Sequence, residues 1–491
     1  MIFQSSLCLI DPEAMSRVDA AAGQSGIALF GLMEQAGQAV AAAALRHYPD
    51  AHRFVVLCGG GNNGGDGYVA ARELAAAGAD VAVYQLGDAS NLKGDARLAY
   101  ERSGTRPLPL ANYEPRVGDV VVDAIFGAGL SRDVPLEVKR LIEAIAAAKL
   151  PVIAVDLPSG LCGRRGVALG AAFAAARTVT FMMRKPGHVL LPGRELCGVL
   201  EVFDIGIPQR ILAAQAGKVA ENHPQLWQHA LPRPDAETHK FKRGHLTVFS
   251  GPPHATGAAR MTSLAALKAG AGIVTVAAPQ TALDILSITL TAVMTSPLDT
   301  VEELGLWLRD KRHATFVLGP GFGDLEKARA FMSLLGDASL VLDADGITAF
   351  KEKPESLFAL MASGKGHFVM TPHEGEFARL FPDIAGDVTL GKVERAQAAS
   401  ARSGAVVVYK GADTVIAAPD GRALVNTNAP PSLATAGSGD VLAGIIGALL
   451  AQGVPVFEAA AAGVWLHGEA GQRAGPGLTA EDLVHAVRPF S

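Results

Sequence analysis

The sequence predicts an α/β protein of two doubly wound, three-layer α/β/α domains. Short apolar segments alternate along the chain with glycine-rich loops and helical patterns, which is typical of parallel sheets covered by helices. Hydrophobic residues make up 49% of the chain and charged residues 19%, with 55 glycines, and this composition suits buried parallel strands. A polar region with Pro224, Pro232 and Pro234 predicts the boundary, so we expect domains over residues 1–218 and 219–491.

Charge and cysteine content narrow the classes of partner. The net charge of -5, with no polybasic tract, argues against nucleic acid. The N-terminus lacks the pattern of a signal peptide, and the apolar run 441–450 is far shorter than the roughly 20 residues that span a bilayer, so we expect no membrane partner. Scattered cysteines without CxxC spacing indicate a reduced cytoplasmic protein without zinc or disulfides: Cys8, Cys58, Cys162 and Cys197.

The first domain begins with a helical pattern and a βαβ unit. Apolar residues at helical spacing predict a helix over residues 11–48. An apolar strand over 53–58, a glycine-rich loop over 59–67, a helix over 68–77 and a strand over 81–84 then follow. This order predicts a parallel pair with a right-handed crossover.

The loop after the first strand has the chemistry of a ligand site. Gly59, Gly61 and Gly64 match GxGxxG, but a dinucleotide fold also wants an acid at the end of the second strand, where Gln85 stands. Asp66 would repel a pyrophosphate, and no GKS or GKT sequence marks a phosphate loop. Two asparagines and one aspartate instead indicate coordination of a ligand or cation, the alternative being a turn stabilised by its own side chains.

Two further strand ends carry acidic residues. Strands over 119–126 and 151–156 bring Asp123 and Asp156 to the same sheet edge as the loop over 59–67. Ligands collect beyond the carboxyl ends of parallel strands, so we expect these groups to converge on one pocket. Each aspartate alone could simply cap a helix.

Five motifs of this half resemble one enzyme family. GNNGGDG, VDAIFGAGLSRD, VDLPSG, TVTFMMRKPGH and DIGIP occur in this order within about residues 11–208 and resemble the N-terminal domain of bifunctional NAD(P)H-hydrate repair enzymes. The resemblance implies a Rossmann-like domain that epimerises the R and S hydrates of NADH and NADPH (NADHX and NADPHX). It implies a hydrate site formed by Asn62, Asn63, Gly64, Gly65, Asp66, Gly127, Ala128, Gly129, Leu130, Ser131, Arg132, Asp133 and Asp156.

The same resemblance implies a potassium ion and an acid–base residue. Asn63, Asp123 and Ser159 would hold potassium through hard oxygen ligands. Asp156 would contact the substrate and is the candidate for acid–base catalysis. Lys185 is a weaker candidate, because it could equally be a solvated loop lysine.

The second half repeats the pattern of strand, glycine loop and helix. Strands over 246–250 and 273–277 flank a predicted helix over 257–269, and a hairpin is predicted around 419–421. His373 ends another strand but lacks the second histidine of a zinc-protease helix. Asp343 and Asp345 would face the same side of a strand if it continues that far. They could bind Mg²⁺ through water, or one of them could cap the next element.

The stretch 429–440 leads into the uncharged run 441–450. Small residues ending in GSGD predict a tight turn into the N-terminus of a buried helix, which attracts a phosphate or a developing oxyanion. Asp440 is placed to take a proton from an attacking hydroxyl. The alternative is that Asp440 only caps the helix.

GSGD resembles the anion-hole motif of ribokinase-like kinases. Together with GPGFG, LDADG, TPHEGE and KGADT, it is more similar to ADP- or ATP-dependent NAD(P)H-hydrate dehydratases over about residues 235–488. The resemblance implies phosphorylation of the hydrate's hydroxyl with Mg²⁺ and ADP or ATP, then loss of phosphate, with Asp440 as the base. It implies that Lys410, Gly411, Ala412, Asp413, Thr414 and Gly439 hold the nucleotide and that Ala258, Gly321, His373 and Asp440 surround the hydrate.

These observations support one leading hypothesis and two alternatives. The leading hypothesis is a homo-oligomeric enzyme that epimerises and dehydrates NAD(P)H hydrate. The second is a ribokinase-like kinase of a small molecule with a non-catalytic N-terminal domain. The third makes the N-terminal domain a binding module that has lost its chemistry.

Overall fold

The computed structural model describes residues 7–233, 239–363 and 365–490. The chain divides into two compact units, the first ending at Val219 and the second beginning at Ala220. Within the described residues, one sheet has seven strands and the other ten. The predicted fold class, two α/β layers in one chain, is confirmed. No helix among the described residues is both long and apolar enough to cross a membrane.

The first unit is a parallel sheet with helices. Its strands are β1 Arg53–Cys58, β2 Val81–Gln85, β3 Leu108–Pro109, β4 Asp119–Ala124, β5 Val152–Val155, β6 Arg177–Phe181 and β7 Val199–Phe203. Its helices are α1 Pro12–Gln24, α2 Leu29–His47, α3 Asn62–Ala76, α4 Gly94–Ser103, α5 Leu136–Ala147, α6 Gly193–Leu196 and α7 Gln209–Gln215. The strand order β3-β2-β1-β4-β5-β6-β7 reverses direction between β1 and β4, which opens a crevice at their carboxyl ends.

Two predicted elements of this unit are wrong in their bounds. The helix predicted over 11–48 is two helices, α1 and α2, because the chain turns at Gly26, whose φ is 91°. The loop predicted over 59–67 ends early, since α3 begins at Asn62. A Cβ on Gly64 would lie 2.0 Å from the carbonyl oxygen of Gly59, so only glycine lets the helix start directly against the strand end.

The second unit has a longer mixed sheet. Its strands are β8 Val219–Glu221, β9 His245–Phe249, β10 Ile273–Ala278, β11 Met294–Pro297, β12 Thr315–Leu318, β13 Ser339–Leu342, β14 His367–Met370, β15 Val406–Tyr409, β16 Val415–Ala417 and β17 Ala423–Val425. The order is β11-β10-β9-β12-β13-β14-β15-β16-β17-β8. Pairing is parallel from β11 to β15 and antiparallel from β15 to β17, which confirms the predicted hairpin.

Helices of the second unit enclose one that is almost wholly buried. They are α8 Thr256–Lys268, α9 Leu283–Thr289, α10 Val301–Trp307, α11 Leu325–Leu334, α12 Ala344–Thr348, α13 Pro354–Ser363, α14 Glu374–Leu380, α15 Pro382–Gly386, α16 Lys392–Ser403, α17 Ser438–Ala451, α18 Val456–Ala474 and α19 Ala480–Ala486. Every residue of α17 from Val441 to Leu450 is buried, as expected for a helix that is apolar on all sides.

Candidate functional site

A cavity of about 370 Å³ lies at the carboxyl-terminal edge of the first sheet. The predicted residues that line it are Asn62, Asn63, Asp66, Gly127, Ala128, Gly129 and Asp156. Of the predicted residues, all of which the structure describes, Gly64, Gly65, Leu130, Ser131, Arg132 and Asp133 are not in its lining. Gly64 and Gly65 are buried. A Cβ on Gly64 would clash with the backbone of Gly59, and a Cβ on Gly65 would clash with the side chain of Met33, which itself lines the cavity.

Asp156 is held in a fixed position by three donors. Its backbone has a φ of 64°, the left-handed region that non-glycine residues seldom adopt. The carboxylate accepts hydrogen bonds from Lys185 Nζ at 2.5 Å, Thr180 Oγ1 at 2.9 Å and the Ala128 amide at 3.1 Å. Burial alone would raise the pKa of Asp156, but the charge and hydrogen bond of Lys185 outweigh it, and the pKa lies below its ordinary value. Asp156 is therefore an ionised carboxylate.

Lys185 is buried, with 2% of its surface exposed, so its interpretation as a solvated loop lysine is wrong. Besides Asp156, its ammonium donates to Thr180 at 2.9 Å. His188 supports both residues, since its Nε2 lies 2.9 Å from the Asp156 carbonyl oxygen and its Nδ1 accepts from the Lys185 amide at 2.9 Å. Burial lowers the pKa of His188 to about 4, so the ring is neutral. Sequence reasoning missed Thr180 and His188, although both lie within the motif TVTFMMRKPGH.

Three further acids line this cavity, namely Asp19, Asp66 and Asp95. Asp19, on α1, lines it together with Asp66, and sequence reasoning missed Asp19 because no motif surrounds it. Burial raises the pKa of Asp19 to about 6. Burial, with the nearby carboxylates of Asp156 and Asp19, raises the pKa of Asp66 well above its ordinary value. The raised pKa of Asp66 favours its protonated form, whereas the lowered pKa of Asp156 favours its ionised form.

Of the three residues predicted to hold potassium, Asp123 and Ser159 are buried and bonded to each other, whereas Asn63 is half-buried and lines the cavity. Asp123 accepts from the Ser159 amide at 2.6 Å and from Ser159 Oγ at 2.5 Å. The side-chain nitrogen of Asn63 is buried without a hydrogen-bond partner among the described residues. Rotating that amide would present its oxygen instead, which is the ligand that a hard cation prefers. No group of three or more His, Cys, Asp or Glu side chains placed to hold a metal occurs in the described parts of the chain.

In the second unit, Asp440 lies in the first turn of α17. Gly437, with a φ of 84°, occupies the N-cap position, so the alternative that Asp440 caps this helix is wrong. Asp440 is the third residue of the helix, beside its free amides. Burial and the nearby Asp343 raise the pKa of Asp440 to about 6, although Lys410 acts in the opposite direction. Asp440 can therefore accept a proton near neutral pH.

Lys410 brings a positive charge to the same helix end. Its Nζ lies 2.7 Å from Asp343 Oδ1 and would lie 3.4 Å from a Cβ placed on Gly439. The predicted common face of Asp343 and Asp345 is wrong, because β13 ends at Leu342 and Asp345 belongs to α12. Asp345 instead accepts a hydrogen bond from the Gly323 amide at 2.9 Å.

The other residues predicted for this site occupy neighbouring strand ends. A Cβ on Gly321 would lie 3.0 Å from that of Ala258, so these two positions adjoin. His373 is the N-cap of α14, and its side chain is 57% exposed. In the turn over 410–414, Thr414 Oγ1 donates to the Gly411 carbonyl at 3.0 Å.

Two groups beside these residues were missed by sequence reasoning. Lys392 at the start of α16 pairs with Asp413 at 2.6 Å and has no motif around it. Glu376 is buried, and burial together with Asp343 raises its pKa. Glu376 lies in the motif TPHEGE, in which only His373 was predicted to be a ligand of the site.

Comparison with known proteins assigns both halves. Residues 246–486 match the family described as NAD(P)H-hydrate dehydratase, and residues 30–187 match the YjeF-related protein N-terminus. The bifunctional NAD(P)H-hydrate repair enzyme Nnr of Moorella thermoacetica is 38% identical over 472 residues, covering 90% of this chain and 88% of that protein. The enzyme of the same name from Thermofilum pendens is 35% identical over 512 residues, covering 98% and 94%. The chain therefore belongs to the family of bifunctional NAD(P)H-hydrate repair enzymes.

Proposed function

We propose that this chain repairs hydrated NADH and NADPH in two steps at two separate sites. The first unit epimerises the R and S hydrates, and the second dehydrates the S hydrate at the expense of ADP or ATP. The observation that carries this proposal is that the chain has both sites. Asp156, paired with Lys185, lies in the cavity of the first unit, and Asp440 lies at the N-terminus of α17 in the second.

In the first step, the hydrate lies in the cavity next to Asp156, which exchanges protons with it. Lys185 keeps Asp156 ionised and Thr180 fixes its orientation, so the carboxylate is ready to act as a base. Asn63, Asp123 and Ser159 would hold a potassium ion, and the unpartnered amide of Asn63 fits this role. The ion would supply a fixed positive charge for an oxygen of the substrate.

In the second step, Asp440 takes the proton of the hydrate's hydroxyl, whose oxygen then attacks the terminal phosphoryl group of the nucleotide. The amides at the start of α17 and the ammonium of Lys410 stabilise the charge that develops on that group. Phosphate then leaves far more readily than hydroxide, taking the bonding electron pair with it, and loss of a proton from the neighbouring ring carbon to solvent reforms the ring double bond.

The predicted ligands of this second site are placed on neighbouring loops. The nucleotide would lie against the turn over 410–414 and Gly439, and the hydrate against Ala258, Gly321 and His373. Mg²⁺ would accompany the nucleotide. Asp343 and Glu376, whose carboxyls lie close enough to Lys410 to interact with its charge, could supply oxygen ligands.

Incubation with a mixture of both epimers of hydrated NADH tests the proposal. With ADP or ATP, the absorbance of NADH should return to the extent of both epimers, without a stable phosphorylated product. Accumulation of such a product would instead support a small-molecule kinase. Repair of the S fraction alone, beyond spontaneous conversion, would make the first unit a binding module. Size-exclusion chromatography would test whether the protein is a homo-oligomer. Fractionation of cells would test whether it is located in the cytoplasm.

A further inference from the structure

Two carboxyl groups in the first cavity have opposite surroundings. Asp66 comes from α3, which follows β1, whereas Asp156 follows β5, and both line the cavity. Three donors from Lys185, Thr180 and Ala128 surround Asp156. In the described parts of the chain, by contrast, no side-chain hydrogen bond or ion pair engages the Asp66 carboxyl, which is half-buried against the cavity.

These surroundings separate the protonation states of the two acids. Burial and the nearby carboxylates keep the Asp66 pKa high, whereas the charge of Lys185 outweighs burial at Asp156 and keeps its pKa low. The direction of each shift favours a protonated Asp66, which could give a proton, and an ionised Asp156, which could take one. A pair of acids whose pKa values are pushed apart is the usual arrangement for coupled acid and base catalysis.

We infer that Asp66 is the general acid of the epimerisation and that the reaction breaks and remakes the carbon–oxygen bond. This inference rests on the proposed function. Asp66 gives its proton to the hydroxyl, which leaves as water, while the lone pair of the adjacent ring nitrogen forms a carbon–nitrogen double bond. Water adds to the opposite face of that carbon, its proton passes to Asp156, and the lone pair returns to nitrogen. A proton passed from Asp156 to Asp66 through solvent restores the starting state.

The charge of the cavity favours this route over removal of the carbon-bound hydrogen. That hydrogen is not next to a carbonyl group, so its loss would leave an unstabilised carbanion. The acidic residues lining the cavity are Asp19, Asp66, Asp95 and Asp156, and Lys185 is the one basic residue among the described lining residues. Because Lys185 is itself paired with Asp156, the surroundings favour a positively charged ring rather than a negatively charged one.

Isotope labelling of the unaltered protein tests the route. The pure R hydrate of NADH is incubated without nucleotide, once in water labelled with oxygen-18 and once in deuterium oxide. Each S molecule formed should contain one labelled oxygen and no deuterium at the inverted carbon. S hydrate that keeps its original oxygen, or gains deuterium there, would overturn the inference while leaving the epimerase function standing. If no S hydrate forms faster than without protein, the epimerase function itself fails, and the inference fails with it.

The variant Asp66→Asn tests the residue. Asparagine has nearly the same shape but cannot give the proton, so we expect kcat for epimerisation to fall by about 10²- to 10⁴-fold with little change in KM. Asp80→Asn, an exposed change just beyond the other end of α3, is the matched control and should leave the rate unchanged. Thermal unfolding of both variants shows whether the fold is kept. A folded Asp66→Asn variant with the ordinary rate would refute the assignment.

Discussion

At the scale of the residue, each proposed site depends on a half-buried carboxyl whose pKa reflects a balance between burial, which raises it, and a neighbouring lysine, which lowers it. Lys185 outweighs the effect of burial on Asp156, which is ionised well below neutral pH. Lys410 only partly offsets burial and Asp343 at Asp440, whose pKa stays at about 6. The two sites should therefore respond differently to acid.

The dehydration rate should show the titration of Asp440. Because its pKa is raised to about 6, the base is protonated and inactive below that pH and ionised above it. We expect kcat/KM for dehydration of the S hydrate to fall about tenfold for each pH unit below about 6 and to level off above about 7. Asp440→Ala should abolish dehydration and spare epimerisation. A dehydration profile that stays flat through this range would exclude Asp440 as the base.

At the scale of the element, glycines in α17 let it lie directly against its neighbours. A Cβ on Gly444 would stand 2.1 Å from the carbonyl oxygen of Thr262 on α8, so the two backbones touch. This close approach positions the helix whose N-terminus forms the second site. Gly305, in the middle of α10, has no atom within 4 Å of its notional Cβ.

These two glycines make a matched pair for a stability experiment. Gly444→Ala must push α8 and α17 apart, and we expect it to lower the free energy of unfolding by about 1–3 kcal/mol. Gly305→Ala meets nothing and should raise it by about 0.5–1 kcal/mol through helix propensity. Urea unfolding of each variant measures both effects, with the loss of dehydratase activity identifying the transition of the second unit. Equal effects of the two changes would show that helix contact at Gly444 is not tight.

At the scale of the whole molecule, the chain is two units, each with its own sheet and buried core. Asp156 follows β5 of the seven-stranded sheet. Asp440 belongs to α17, which comes after β17 of the mixed ten-stranded sheet. All the polar partners described for Asp156 belong to the first unit. Nothing in the proposed chemistry requires both carboxyls to be intact in one chain.

We therefore expect the two activities to complement each other between molecules. Asp156→Ala alone should return NADH only from the S fraction, and Asp440→Ala alone should return none. An equimolar mixture of the two variants, given both epimers and ADP, should return all of the NADH because the S hydrate can pass through solution. The absorbance of NADH follows the reaction. A mixture that does no better than Asp156→Ala would mean that the substrate must pass directly between the two sites of one chain.

Local patterns predicted much of the fold and one part of each site. The alternation of apolar strands and glycine loops was enough to predict two α/β layers, because strands and tight turns depend on residues that are neighbours in the sequence. The cavity did collect Asn63 and Asp66 from the end of β1 and Asp156 from the end of β5, but Asp123, which was predicted to join them, is not in its lining. The predictions failed where a helix began earlier than its apolar stripe, as α3 does at Asn62.

The sequence by itself determined the fold class, the order of the strand-end motifs and, through its similarity to known proteins, the family. Only the tertiary structure decided which state each acid adopts. Lys185 lies far from Asp156 in the chain, and Lys410 far from Asp343, yet each pair is in direct contact. A pKa depends on burial and on charges within a few ångströms, and these are set by how distant segments pack together, which no short motif records.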